Sequence, residues 1–218
     1  MPSRKVGVLG SGGVGETLAS GFLKHGYEVM RGSRDPAKLA GWKAKAGART
    51  SVGTFEQAAK FGEIVVLAVK GTGAESALKL CGIENLADKT VIDATNPIAE
   101  EPPNNGAIRF FTEINDSLME RLQRLAPMAR FVKAFSCIGQ ALMVNPDFGG
   151  QKPTMFIAGN DAGAKADVAA ILAQFGHEVE DMGGAEGARA IEPLCILWCL
   201  PGLLRNEWAH ALKMIRPN

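Results

Sequence analysis

Three glycines near the start of the chain lie between an apolar segment and a helical pattern, in the stretch VGVLGSGGVGETLASGF. Their G-x-G-x-x-G spacing, between a strand and a helix, is typical of a dinucleotide-binding turn. The first glycine permits the tight turn, the second lets a pyrophosphate approach the backbone, and the third lets helix and strand pack closely. Backbone amides at such a helix start bind phosphate. The predicted phosphate-binding residues are Gly10, Ser11, Gly12, Gly13, Val14 and Gly15.

The rest of the chain alternates apolar, β-rich runs with helical patterns, which predicts βαβ units and a parallel sheet. The predicted strands are 6–9, 28–31, 50–52, 64–69, 91–94 and 131–135, and the predicted helices are 16–25, 36–46, 55–61, 74–80 and 118–125. Two further strands, 155–158 and 178–182, flank a helix at 162–175. A helical region from about 186 to 215, kinked or broken at Pro201, closes the chain.

These patterns predict an α/β fold of Rossmann type, with a doubly wound, mainly parallel sheet and a short α/β extension that ends in helix. We expect a nucleotide-binding domain over residues 1–139 and an extension over 140–218 packed on it, or one continuous domain.

The end of the second predicted strand carries Ser33 and Arg34 where an NAD-binding chain usually has an acid. An acid there hydrogen-bonds the adenosine ribose of NAD and repels the 2′-phosphate of NADP. A guanidinium and a hydroxyl bind that phosphate instead, so the sequence favours NADP. Arg31 is a further candidate for this contact. Asp35 precedes Pro36 and is predicted to be the N-cap of the next helix.

The net charge and the cysteines limit the partners and cofactors that we expect for this chain. The net charge is +1, which argues against a nucleic-acid or membrane-surface partner. The four cysteines lack metal or disulfide spacing, so we expect no metal and reduced thiols in a cytoplasmic protein. The longest apolar run, 194–204, contains Pro201 and is too short to span a bilayer; it is core or the interface of a homodimer.

The catalytic inventory excludes some carbonyl reductases. Short-chain carbonyl reductases use a tyrosine with a lysine four residues later. The single tyrosine of this chain, Tyr27, has Arg31 at that spacing, so this mechanism is excluded. His210 is placed on the final helix. The later strands end in Val69-Lys70, in Asn96, and in Ser136-Cys137-Ile138. We therefore expect a hydride-transfer crevice near Asn96, Ser136 and Cys137, in which the protein mainly aligns two flat rings.

The stretches GVLGSGGVGETLASGF, GSRDP, KAFSCIG and DMGGAEGARAIEPL, followed by His210, resemble the coenzyme F-420-dependent NADP oxidoreductase family. That family is similar to the cytosolic reductase domains of six-transmembrane metalloreductases. The resemblance implies NADPH binding and hydride exchange with a flavin or with the deazaflavin F-420. It assigns residues 10–15 to the phosphates, Ser33 and Arg34 to the 2′-phosphate, and Val69, Lys70 and Asn96 to the nicotinamide half. The family often has Asn or His where Ser136 stands, a difference that bears on the acceptor.

Three functions stay open at this point. The leading hypothesis is an NADPH-dependent oxidoreductase with a small-molecule redox acceptor, a flavin or deazaflavin. The second is a small imine or carbonyl reductase resembling the pyrroline carboxylate reductases, although strands 155–158 and 178–182 disfavour their all-helical second domain. The third is an NADPH-binding sensor without catalysis.

Overall fold

The computed structural model describes residues 4–217 and contains a six-stranded sheet, in the order β3-β2-β1-β4-β5-β6, with every neighbouring pair parallel. The strands are β1 (Lys5–Leu9), β2 (Glu28–Gly32), β3 (Thr50–Gly53), β4 (Ile64–Leu67), β5 (Thr90–Asp93) and β6 (Arg130–Lys133). This order has its switch point between β1 and β4, where the open α/β sheets bind their ligands. The predicted Rossmann-type fold is confirmed.

Helices cover both faces of this sheet and continue into the extension. They are α1 (Gly13–Lys24), α2 (Ala40–Ala46), α3 (Phe55–Phe61), α4 (Ala74–Cys81), α5 (Leu118–Leu125), α6 (Ala162–Gln174), α7 (Ala188–Ile191) and α8 (Leu194–Arg205). Helices α3 and α5 have the predicted bounds, and each begins with a complete capping box. The helix predicted over 36–46 begins instead with a 3-10 turn, Pro36–Leu39. Asp35 is its N-cap, as predicted, and accepts from the Ala37 N–H.

The extension adds a second, two-stranded parallel sheet made of β7 (Thr154–Ile157) and β8 (Glu178–Asp181). It meets the main sheet through one antiparallel bridge, in which the Lys133 N–H donates to the Ala158 carbonyl at 2.8 Å. One hydrophobic cluster joins the two parts, because Phe175 of the extension packs edge-on against Phe22 of α1. A second cluster lies between the sheet and helices α3, α4 and α5.

The end of the chain differs from the prediction of helix to about residue 215. Helix α8 continues through Pro201 without a break and ends at Arg205. Asn206 takes a left-handed conformation and donates its N–H to the Gly202 carbonyl, a common helix ending. His210 therefore lies outside the final helix, where its ring stacks on the Trp198 indole at a centroid distance of 5.0 Å.

Residues Ala185–Arg205 form one helical stretch that, by length and composition alone, is long and apolar enough to cross a membrane. This stretch is longer than the apolar run 194–204 because helical turns precede that run. Core helices of globular proteins have the same composition. Glu192, inside this stretch, is buried and lies 3.3 Å from Lys133 Nζ of β6, so this part of the stretch packs against the sheet.

Candidate functional site

The glycine turn connects β1 to α1, and its three spaced glycines have different surroundings. A Cβ at Gly10 would overlap the Ala68 carbonyl oxygen, and one at Gly15 would lie 2.8 Å from the Gly10 carbonyl oxygen. Both positions therefore need glycine for packing. A Cβ at Gly12 would meet no described atom within 4 Å. Gly12 is the N-cap of α1 and has no side-chain cap, so the helix start faces open space where a pyrophosphate can bind.

A cavity of about 560 Å³ opens in front of this turn. Six of the predicted cofactor-binding residues line it: Ser11, Gly12, Ser33, Arg34, Val69 and Lys70. Arg34 is exposed, and no described residue makes a hydrogen bond or ion pair with its guanidinium. Ser33 is buried, and its Oγ accepts from the Asp35 N–H at 3.2 Å. The hydroxyl proton of Ser33 is therefore free to be donated to a ligand.

A second cavity of about 480 Å³ lies at the carboxyl ends of β4 and β5, and Val14, Val69, Lys70 and Asn96 are among its lining residues. It shares Val69, Lys70, Thr72 and Glu100 with the first cavity, so the two form one crevice along the carboxyl edge of the sheet. Asn96 Oδ1 is buried and has no hydrogen-bond partner among residues 4–217. A buried amide oxygen without a donor fits the carboxamide of a bound nicotinamide.

The chain segment after β6 places Ser136 and Cys137 in the interior, and neither side chain lines either cavity. Phe135, just before them, has a left-handed backbone with φ of 64°, a costly conformation for an aromatic residue. Ser136 Oγ is buried and unpartnered within the described part of the chain. Burial raises the pKa of the Cys137 thiol to about 11, so Cys137 is a neutral thiol at pH 7.

Arg31 does not line the crevice, in contrast to its predicted contribution at the 2′-phosphate. Its guanidinium lies under the glycine turn and donates to the Gly10 and Gly12 carbonyls, at 3.2 Å each. Sequence reasoning missed this contact because the direction of a strand side chain depends on what surrounds it.

Several crevice residues were not singled out from the sequence, among them Thr72, Gly73, Ser76 and Glu100. The Gly-Thr-Gly run that begins at Gly71, shortly after the end of β4, is a recognisable signal for two of these positions, Thr72 and Gly73, because glycines also follow the first strand. Lys70 and Glu100 are the titratable groups common to both cavities, and both are exposed. Within residues 4–217, no group of three or more His, Cys, Asp or Glu residues is arranged to hold a metal ion.

Several known proteins are similar to this chain. The sequence model of the coenzyme F-420-dependent NADP oxidoreductases matches residues 5–97, which include the glycine turn, Ser33-Arg34 and Asn96. The metalloreductase STEAP3 of Rattus norvegicus is 32% identical over 206 residues. That match covers 92% of this chain and 39% of the relative, so the chain spans about two fifths of the length of that curated protein.

Among solved structures, a protein from Arthrobacter sp. FB24, provisionally described as an F-420-dependent NADP-reductase, is similar with a TM-score of 0.90 and 32% identity. The match covers 98% of this chain and 99% of that one. An imine reductase from Aspergillus terreus, solved with NADPH4 and dibenz[c,e]azepine, has a TM-score of 0.67 and 18% identity, over 94% of this chain and 64% of that one. This second likeness shows a shared fold.

Proposed function

Because the chain belongs to the coenzyme F-420-dependent NADP oxidoreductase family and is an NADP-dependent oxidoreductase, we propose that it transfers a hydride between NADP(H) and a flavin or deazaflavin acceptor. The observation that carries the proposal is the continuous crevice along the carboxyl ends of β1, β4 and β5. One end of this crevice has a free guanidinium, and the other has the unpartnered oxygen of Asn96.

The residues divide into three groups along that crevice. Arg34 and Ser33 bind the 2′-phosphate, because a guanidinium and a hydroxyl offer several donors to phosphate oxygens. The backbone amides of residues 11–15 bind the pyrophosphate at the start of α1. Val69, Lys70 and Asn96 lie along the nicotinamide half, where Asn96 Oδ1 accepts a hydrogen bond from the carboxamide.

The walls of the nicotinamide half favour a flat redox ring as acceptor. NADPH supplies the hydride when bound, and a flavin or deazaflavin ring takes it without a protein acid at the reacting carbon. Lys70 and Glu100 are the titratable side chains that line this cavity, and no tyrosine, histidine or cysteine is among its lining residues. The contribution of the protein is alignment of two rings, for which small residues such as Gly71, Ala94 and Ala99 leave room.

The imine-reductase hypothesis is the second candidate, since the fold is shared with such enzymes. The extension of this chain contains β7, β8 and α6 and is therefore not all-helical. The mixed α/β architecture of this extension therefore favours a flavin over an imine as the acceptor. Membership of an oxidoreductase family sets the sensor hypothesis aside.

Stopped-flow absorbance at 340 nm tests the acceptor, with NADPH-loaded protein mixed against riboflavin, FMN, FAD, F-420 and 1-pyrroline. We expect one of the flavins or F-420 to accelerate NADPH oxidation with saturation. The Gly12→Val variant is the negative control. Gly41→Val adds the same side chain at another position with open space around Cβ, and it controls for the substitution itself. Acceleration by 1-pyrroline alone would transfer the proposal to the imine-reductase class.

We further propose a cytoplasmic homodimer, with neither a nucleic acid nor a membrane as partner. Leu197, Leu203 and Leu204 of α8 are exposed apolar side chains that suit contact with a second copy. Sedimentation velocity at several protein concentrations tests this proposal, and a monomer at every concentration contradicts it.

A further inference from the structure

Arg31 is a buried cation directly behind the glycine turn. Its side chain is 1% exposed, although arginine is seldom buried without paired charge. Nη2 donates to the carbonyls of Gly10 and Gly12, which belong to the tight turn and to the N-cap of α1. These two bonds hold the carbonyls on the inner side of the turn.

The other sides of the guanidinium are covered by two helices. Nη1 lies 3.5 Å from Glu16 Oε2 of α1, and the guanidinium carbon lies 5.0 Å from the centre of the Trp42 ring of α2. Trp42 is itself fixed by a hydrogen bond from its indole N–H to Ser20 Oγ. Arg31 Nε is buried and has no partner among the described residues. The guanidinium is therefore held in one position, with hydrogen-bonding capacity left over.

The charge of Arg31 is only partly compensated. Glu16 is the acidic residue within ion-pair distance of the guanidinium in the described part of the chain, and its side chain is 57% exposed. Water screens an exposed carboxylate much more than a buried guanidinium, because the effective dielectric constant is lower in the interior. A net positive potential therefore remains at the turn, on the side where α1 begins.

We propose that Arg31 is a positioning residue for the pyrophosphate of the dinucleotide. It holds the Gly10 and Gly12 carbonyls inward, so that the amides of the turn face the ligand, and it adds a fixed positive charge behind them. Glu16 partly neutralises that charge in the free protein and lowers the affinity for an anion. This inference rests on the dinucleotide site of the proposed function and adds a residue that does not touch the crevice.

The proposed role differs from that of Arg34 in a measurable way. The pyrophosphate is common to NADPH and NADH, so loss of Arg31 weakens both cofactors by the same factor. Arg34 faces the 2′-phosphate, so its loss changes the ratio between them. Adenosine 2′-monophosphate lacks the pyrophosphate, so its binding depends on Arg34 and Ser33 and not on Arg31.

Isothermal titration calorimetry on wild type, Arg31→Met, Arg31→Lys and Glu16→Gln tests the proposal, with NADPH, NADH and adenosine 2′-monophosphate as ligands. Circular dichroism first confirms that each variant is folded. For Arg31→Met we expect about tenfold to hundredfold weaker binding of both dinucleotides and adenosine 2′-monophosphate affinity within about twofold of wild type. Arg31→Lys restores part of the loss, and Glu16→Gln tightens both dinucleotides by about two- to fivefold.

Two results would overturn the proposal. One is a folded Arg31→Met variant with wild-type affinity for both dinucleotides. The other is a Glu16→Gln variant that binds both more weakly, since that result assigns the pair a purely structural role. If Arg31→Met does not fold, Arg31→Lys and Glu16→Gln still decide between these roles. A wild type that binds neither dinucleotide contradicts the proposed function itself, so the two failures are distinguishable.

Discussion

Lys133 Nζ lies 3.1 Å from Asp93 Oδ2, and both side chains are completely buried. The two residues face each other across β5 and β6. Glu192 completes the group at 3.3 Å from Lys133 and also accepts the N–H groups of Leu118 and Met119 at the start of α5. The Lys133 ammonium group therefore links β5 and β6 to Glu192 of the extension, and through Glu192 to the start of α5.

Lys133→Met is expected to lower the free energy of unfolding by about 3–5 kcal/mol, because it leaves two buried carboxylates without their cation. Urea denaturation at pH 7 measures this loss. Lys60→Met, which removes an exposed lysine paired with Glu56, is the matched control and should change stability by less than about 1 kcal/mol. Equal effects of the two substitutions would contradict a structural role for the buried group.

The Glu120–Arg189 pair predicts a pH dependence of stability. Hydrogen bonds from Arg189 lower the pKa of Glu120 from 4.5 to about 2. A lowered folded-state pKa stabilises the protein above pH 4.5, and this contribution is lost as pH falls from 4.5 toward 2. Arg189→Gln should therefore lower the free energy of unfolding at pH 7, by an amount that solvent screening of the exposed Arg189 reduces, and change it little near pH 2.

Urea denaturation of wild type and Arg189→Gln at several pH values between 2 and 7 measures this difference. The exposed pair Arg205–Glu207 gives the control, because Arg205→Gln should change stability little at any of these pH values. A wild-type advantage that stays constant down to pH 2 would show that Arg189 acts through packing alone.

Arg34→Ala is expected to weaken NADPH binding by about tenfold to hundredfold and to change NADH binding little, because one charge-assisted contact to the 2′-phosphate is lost. The wild type should prefer NADPH by at least about tenfold for the same reason. Calorimetry with both cofactors measures the ratio. Arg205→Ala removes another exposed arginine and should leave both affinities unchanged. Equal affinity of the wild type for the two cofactors is the result that rejects this assignment.

Gly12→Val is expected to abolish dinucleotide binding while the fold is kept. The backbone of Gly12 is extended, with φ of −78°, and its Cβ position is open, so valine fits the protein but occupies the space of the pyrophosphate. Thermal unfolding should match that of the Gly41→Val control. NADPH affinity close to wild type in Gly12→Val would reduce the turn to a connector between β1 and α1.

Local signals explain the parts of the fold that were predictable from the sequence. Helices α3 and α5 have the predicted bounds because Thr54 with Gln57 and Ser117 with Glu120 close their first turns through neighbours in sequence. The end of α8 was not predictable in the same way. Asn206 is left-handed, and Trp208, two residues later, fills the space beside Gly202, a contact that no local sequence pattern indicates.

The residues of the candidate site also fall into those that local sequence patterns predict and those that tertiary packing decides. The glycine spacing and Ser33-Arg34 are contiguous patterns with a known physical reason, and the structure brings them into one cavity. The burial of Ser136 and Cys137 and the position of Arg31 depend on side-chain directions set by other elements. A left-handed residue such as Phe135 redirects the chain after β6, and nothing in its own identity indicates that conformation.

The single bridge between β6 and the extension has a consequence for how molecules of this protein behave toward one another. The outer strands of an open sheet present unpaired backbone groups that can template pairing with other chains and lead to aggregation. At one edge, the Ala158 carbonyl accepts a hydrogen bond from the Lys133 N–H. A Cβ at Gly159 would lie 2.5 Å from the Phe131 carbonyl oxygen, so the extension closely covers β6. At the opposite edge, Lys43 Nζ donates to the Thr50 carbonyl of β3. Each edge of the sheet is thus protected against intermolecular β-pairing by a different device, a covering segment at one and a charged side chain at the other.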